Sequence, residues 1–470
     1  MSKKKKQGTR AQRAAQALKP FEFARSYDLA VVGGGASGLA CALACVQEAQ
    51  RLGMSQPRII VLEKGRRIGA SILRSGNGRC NFSNANLDVE KFWNSDFAAE
   101  VLQRLTGQCS SDDSLCSLAH SDQLVLDENP CVLPVVEWLE RLGLAWEEAQ
   151  GTGGLLYPRS NKAESVLEVF TTALEEHNVD LRICVQVESI ARSGAGFELG
   201  LAEVPLPKGG KVGGEEEPRH ARIQSSKVVF AAGGAFAPGL LSGVSASALK
   251  PWQPVLGPLR AEFPKGVSAA ELDGVRAQAL VRVPDTGFAE EGEVLFREYG
   301  LSGIVVFNAS REVEPGGCLL VDLEPRRSEE QLAKFLFARA ELFGGAMNRQ
   351  LFRGYLLPQL ASAVCAAAGV ESDGPVTASS VNALAFAMKN LTFKVQGIAD
   401  ERQCQVHRGG VPVEAVSPNT LQAKSAPGLY ILGEALDVDG PCGGYNLHWG
   451  WATGMLAGKS IAANLAKEQQ

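Results

Sequence analysis

Three glycines, Gly33, Gly35 and Gly38, follow the apolar run Tyr27–Val32 at the spacing G-x-G-x-x-G. The first suits a tight turn after a strand. The second lets a pyrophosphate approach bare backbone, and the third lets a helix pack closely on the sheet. Ala36 and Ser37 stand at the expected helix start, where free N–H groups and the helix dipole favour phosphate charge. A second apolar run, Arg58–Leu62, ends in Glu63 and Lys64, and the carboxylate stands where ribose hydroxyls would be bound. Together these features point to a dinucleotide site. The triplet and the acid do not separate NAD from FAD.

Three further segments make that choice. The stretch Gly69–Asn84 is polar, punctuated by glycine and too long for an ordinary turn. Val228–Gly234 is an apolar strand closing on Ala231, Ala232, Gly233 and Gly234, small residues that let the chain pass beside a ligand. Gly428–Asp437 is a strand that carries Gly433, Glu434 and Asp437 towards Gly440–Asn446, where a last helix begins near Tyr445. A second helix N-terminus would stabilise negative charge on a reduced isoalloxazine ring. One terminus for pyrophosphate and another for the ring favours FAD over a nicotinamide.

The elements needed to hold these residues are legible in outline. Tyr27–Val32, Ser37–Leu52 and Arg58–Leu62 read as strand, helix and strand, a βαβ unit. Pro130–Leu142 and Lys162–His177 read as helices; Asp180–Val187, Phe197–Leu201 and Arg222–Phe230 read as strands. Residues 254–323 suggest short strands and turns, 327–390 helices, and 398–432 strands again. Residues 205–219 read as an exposed hairpin excursion. The expected fold is α/β: a discontinuous Rossmann-like domain interrupted by a mixed β and α insertion. The expected parts are a basic disordered tail at 1–26, nucleotide-binding segments at 27–253 and 398–470, and a substrate or cap domain at 254–397.

Composition narrows the class. In 470 residues, 45% are hydrophobic and 21% charged, which excludes a disordered or fibrous chain. The 11 cysteines show no repeated close-paired pattern, with Cys41 and Cys45 sharing one helix face, and there are only 5 histidines, so no metal framework is expected. Free thiols, with neither a secretory leader nor a long apolar span, suggest a cytoplasmic protein without a membrane partner. Residues 1–26 carry eight cationic residues and one acid, a net +7, so the remaining chain carries −5 − 7 = −12. That tail lacks interleaved aromatics, and nucleic acid is not an expected partner.

Taken together, Gly76–Asn84, Phe296–Gly303 and Gly433–Leu447 resemble the BaiN/YhiN-like flavoproteins, also described as aminoacetone-oxidase-like or bile-acid dehydro-reductase-like. The likeness spans nearly everything from Tyr27 to Ala463. It implies a two-part FAD-binding domain of the glutathione-reductase class around an inserted domain. It further implies that Asn77, Gly78, Arg79, Cys80 and Asn81 lie near the flavin ring. Glu434, Asp437, Gly443, Gly444 and Asn446, with Tyr445 between them, would meet the ribityl chain and pyrimidine side. The chain departs from the family pattern at Glu298, Ile304, His407, His448 and Gly450, and it lacks the usual Thr-Gly-Asp-Gly segment after Gly234.

The candidate catalytic residues are Arg79 as an anion anchor, Glu298 and Tyr299 as an acid–base pair on a loop of the insertion, and His448 as proton donor or flavin ligand. Cys80 and Cys442 are far apart in sequence, against disulfide-reductase chemistry. The resemblance suggests an FAD-dependent oxidoreductase reducing a conjugated carbonyl small molecule, with NAD(P)H docking transiently as donor. Oxidation of a small amine, a non-catalytic redox-responsive flavoprotein, and RNA modification are the alternatives. Oligomeric state is not legible.

Overall fold

The computed structural model describes residues 19–106, 129–151, 153–204, 218–234, 236–241, 249–344 and 347–469. The expectations for residues 1–18 and 205–217 lie outside this set. Two compact units divide the chain: residues up to Trp252 together with Arg408–Gln470, and Gln253–His407.

The first unit is built on one sheet. Asp180–Arg182, Ile59–Leu62, Ser26–Val32 and His220–Phe230 lie side by side and parallel. Leu29, Ala30 and Val31 are fully buried, as expected for a parallel strand covered on both faces. The 11-residue strand His220–Phe230 has a divided flank. Its first half pairs antiparallel with Gly196–Glu203, which pairs in turn with Val185–Ser193. Its second half pairs parallel with Leu429–Ile431, the strand that returns from the far end of the sequence. The sheet is therefore completed by two segments of chain separated by the second unit, as a discontinuous Rossmann-like fold requires.

Two helices govern the site. Ala36–Arg51 follows the glycine turn, and Tyr445–Gln469 ends the described chain. Gly450, Gly454 and Gly458 face the first helix at steps of four residues. A Cβ on them would lie 3.2 Å from Ala36 Cβ, 2.5 Å from Ala40 Cβ and 2.5 Å from the Cys41 carbonyl oxygen, respectively. Both sequences advance together along this seam, so the helices run parallel. The last helix starts five residues before Gly450, so its N-terminus projects about 7 Å beyond that of its partner.

The second unit is a closed antiparallel barrel. Its strands, in order around the wall, are Leu259–Glu262, Gly300–Ser302, Phe288–Arg297, Arg276–Val283, Cys318–Asp322 and Leu391–Ile398. Helices Glu329–Phe343, Pro358–Ala367 and Ala378–Lys389 share its hydrophobic core. The chain stays with this unit past the last barrel strand, through bonds from Ala399 N–H to Pro258 O and Gln405 N–H to Leu256 O.

Several element boundaries differ from expectation. The helix begins at Leu133 rather than Pro130, with Pro134 in its first turn. The single strand expected over 180–187 is two, because Cys184 takes a left-handed conformation at φ 57°. Between 398 and 432 only Val406–Gly410 and Leu429–Ile431 are extended beyond residue 398. The rest forms short 3₁₀ turns and loops.

Candidate functional site

The three fingerprint glycines serve different ends. Gly33 sits at φ 109°, and a Cβ there would strike the Ala231 carbonyl oxygen at 2.2 Å; one on Gly38 would strike the Gly33 oxygen at 2.0 Å. Both are required by packing. Gly35 is not: its nearest neighbour would be Ser71 Oγ at 3.3 Å. Among the described residues no side chain caps the helix that Gly35 opens, which leaves first-turn N–H groups for a ligand. Glu63 is held by both oxygens, accepting from Gly34 N–H at 2.9 Å and Gly65 N–H at 2.6 Å. Each oxygen keeps a further lone pair for a ribose hydroxyl. Lys64 is exposed beside it.

A second cradle forms where the last helix begins. Gly443 and Gly444 have φ 112° and 94°, and a Cβ on Gly444 would overlap Ser83 backbone at 2.4 Å. Asn84 Nδ2 donates to Gly443 O at 2.9 Å. The Asn81 amide, turned to match its neighbours, accepts from Gly444 N–H and donates to Leu156 O and Ser83 O. Asn446 exchanges hydrogen bonds with the Gly440 backbone, both at 2.8 Å, and the Tyr445 hydroxyl accepts from Asp88 N–H. Gly433 reaches the first helix, where a Cβ would lie 2.7 Å from Ser37 Oγ. Gly233, at φ 75°, has among the described residues only Glu434 Oε2 near its missing Cβ, at 3.8 Å. Ala232 is half-buried beside it.

The loop between these cradles is held in an unusual conformation. Gly76, Asn77, Gly78 and Cys80 all have positive φ, from 54° to 82°. For Asn77 and Cys80 that costs about 1–2 kcal/mol each, the kind of strain that persists when surrounding contacts impose it. Arg79 emerges from this loop exposed, its guanidinium 4.7 Å above the Tyr157 ring. It reaches the Tyr157 hydroxyl at 3.4 Å and Gly76 O at 3.3 Å, and no carboxylate pairs with it among the described residues. Cys80 is fully buried, and burial pushes its thiol up to about 12. It is protonated at neutral pH and no nucleophile.

Two expectations change. His448 is fully buried, and burial lowers it to about 4. Its Nδ1 lies 2.8 Å from Ser83 Oγ and its Nε2 3.1 Å from the Cys131 carbonyl. The carbonyl fixes the proton on Nε2, so the neutral ring accepts from Ser83 and has no nitrogen left for a ligand. The proton-donor role does not fit. Asp437 is likewise consumed: Lys250 Nζ at 2.6 Å, Asn94 Nδ2 at 3.1 Å and Gly409 N–H at 2.9 Å surround its carboxylate. Its fit is to a structural clamp rather than to a ribityl chain. Glu298 and Tyr299 belong to the barrel unit, where Glu298 is exposed and donates its N–H to Asp273, while Tyr299 O accepts from Ala261 N–H.

Three features escaped the sequence. The Gly450, Gly454 and Gly458 spacing was available as a signal. Tyr157 was not, because nothing local links it to Arg79. The buried pair of Arg408 and Asp439, at 2.8 and 3.2 Å, joins residues 31 apart through tertiary folding alone.

The residues fit a dinucleotide bearing a flavin: an uncapped helix start with room at Gly35 at one end, a carboxylate for ribose, and a second helix start opened by two left-handed glycines. When bound, FAD would be held by Gly33–Gly38, Glu63 and the Gly443–Asn446 turn. Fold and site define a flavin oxidoreductase.

The chain belongs to the HI0933-like protein Rossmann domain family, whose model matches residues 133–460. An NAD(P)-binding Rossmann-like domain model matches residues 31–95. The chain is 29% identical to a 3-dehydro-bile acid delta(4,6)-reductase of Clostridium scindens, over 92% of this chain and 98% of that protein. It is 26% identical to a ribosomal RNA dihydrouridine synthase of Escherichia coli, over 93% and 98%. Among solved structures, a flavocytochrome c3 fumarate reductase aligns at TM-score 0.40 and 16% identity, over 94% of this chain and 78% of that one. A 3-ketosteroid-delta4-(5alpha)-dehydrogenase from Rhodococcus jostii RHA1 aligns at TM-score 0.40 and 13% identity, over 94% and 98%. Among the described residues no helix is long and apolar enough to cross a membrane.

Proposed function

We propose that this protein is an FAD-dependent reductase that adds two hydrogens across a carbon–carbon double bond conjugated to a carbonyl, with NAD(P)H as electron donor. The carrying observation is the pair of parallel helices locked at Gly450, Gly454 and Gly458, whose N-termini open on the same side with an offset of about 7 Å. That frame suits a ligand with phosphates at one end and an electron-accepting ring at the other. When bound, FAD supplies hydride transfer at N5 between a nicotinamide and a substrate. The Gly443–Tyr445 helix start would stabilise negative charge on the pyrimidine side, and Arg79 offers a cation without an ion-pair partner among the described residues. Cys80, protonated and buried, speaks against a thiol relay.

The names of the relatives converge on one chemistry. A 3-dehydro steroid with a delta-4 double bond and a uracil ring both present an alkene conjugated to a carbonyl. A small enone is the substrate class favoured here, and it keeps the substrate a small molecule. A second reading, uracil within RNA, draws support from the dihydrouridine synthases and the net +7 of residues 1–26.

The test is a visible spectrum of the purified protein, followed by anaerobic mixing with NADH, NADPH and a panel of small amines. The reading expects bleaching by a nicotinamide and reoxidation by 2-cyclohexen-1-one. Bleaching by amines alone, with reoxidation by oxygen alone, would overturn it. Reoxidation by uridine-containing RNA but not by the enone would favour the second reading.

A further inference from the structure

Hydride addition to a conjugated alkene places negative charge on the carbonyl oxygen, and that oxygen needs a cationic or hydrogen-bonding partner. Resting on the reductase reading, we propose that Arg79 is the clamp for this oxyanion and that Tyr157 is the residue that positions it. Arg79 uses two of its five N–H groups, on Gly76 O and the Tyr157 hydroxyl, leaving 5 − 2 = 3 without a partner among the described residues. No carboxylate neutralises it there.

The placement of Tyr157 supports the pairing. It lies on the strand Leu155–Pro158, whose neighbour Leu155 comes within 3.3 Å of where a Gly443 Cβ would be. Residues two apart on a strand share a face, so Tyr157 presents its ring on the side of the strand that meets the start of the last helix. The ring also abuts Gly76, with Cε1 3.4 Å from the missing Cβ. Tyr157 is only 7% exposed, whereas Arg79 above it is exposed, so the phenol is a fixed platform and the guanidinium the group available to a ligand. The Tyr157 ring lies against the guanidinium, and the three unused N–H groups remain for a ligand. The reaction would balance with the proposed donor: bound FAD would pass a hydride from the nicotinamide to the β-carbon, the alkene electrons would move to the carbonyl oxygen as an enolate held by Arg79, and a proton from solvent would complete the α-carbon.

The test uses holoprotein with flavin bound, and 4-chlorophenolate as a stable oxyanion probe read by its long-wavelength absorption with oxidised flavin. R79Q is expected to weaken phenolate binding at least 10-fold and lower kcat/KM for 2-cyclohexen-1-one about 100-fold. Its rate of anaerobic bleaching by the nicotinamide is measured alongside, so that a loss of flavin reduction is read separately from a loss at the enone step. R79K should recover part of the binding, as a point charge without the planar fork. Y157F keeps the ring and should lose about 3-fold, whereas Y157L should approach R79Q, its effect falling on kcat more than KM. Unchanged phenolate affinity and enone turnover in both R79Q and Y157L, with flavin retained, would overturn the proposal while leaving the reductase reading intact. A parent protein that never reduces the enone fails that reading instead.

Discussion

A Cβ placed on Gly454 would lie 2.5 Å from the Cβ of Ala40, so the two helices that open the two cradles meet with almost no side chain between them. Gly454→Val should therefore separate them. Overpacking of this kind costs about 1–3 kcal/mol, and the separation also shifts one helix start relative to the other. We expect the melting temperature to fall by several degrees and the bound-flavin ratio to fall with it. Both can be followed by flavin fluorescence on heating.

The fingerprint glycines predict two separable phenotypes. Gly35→Ala puts its methyl into space bounded, among the described residues, only by Ser71 Oγ at 3.3 Å, so the chain should fold with unchanged far-ultraviolet circular dichroism yet purify largely colourless. Gly33→Ala drives a methyl to 2.2 Å from the Ala231 oxygen at φ 109° and should compromise folding itself. A colourless but stable G33A protein would contradict this division.

His448 makes stability depend on pH with a definite sign. Its folded value of about 4 lies below the ordinary 6.5, so between those values the unfolded chain binds the extra proton. Its contribution is complete above pH 6.5 and is lost as pH falls towards 4, amounting to at most about 3 kcal/mol. Urea midpoints measured from pH 7 to pH 4 should fall more steeply for the parent protein than for H448Q. Parallel curves would refute the assignment.

Arg408 and Asp439 form a pair whose side chains are 12% and 0% exposed, with Arg408 also stacked 4.1 Å over Trp93. Arg408→Met leaves a carboxylate buried without its countercharge, a loss of about 3–5 kcal/mol. Chemical denaturation should register it directly. A double change to Met and Asn should recover part of the loss.

Reading the sequence reached the βαβ unit because its signals are local: an unbroken apolar run, a glycine triplet, an acid at the end of the next strand. The last helix and its Gly443–Gly444 turn were legible for the same reason. What stayed hidden depends on partners distant in sequence. His448 looked available until Ser83 and Cys131, 365 and 317 residues away, took both its nitrogens. Asp437 looked like a ligand group until Lys250 and Asn94 closed on it. A residue type at a helix start gives its chemistry but not its spare valence, which is set by what folds against it.

The divided flank of His220–Phe230 has a consequence for biosynthesis. Val228 must wait for Leu429, about two hundred residues later, before that edge is covered. A nascent chain halted before Gly443 would carry the nucleotide fingerprint and still lack the second helix start. Acquisition of colour should thus await synthesis of the Gly443–Tyr445 turn rather than follow emergence of the glycine triplet.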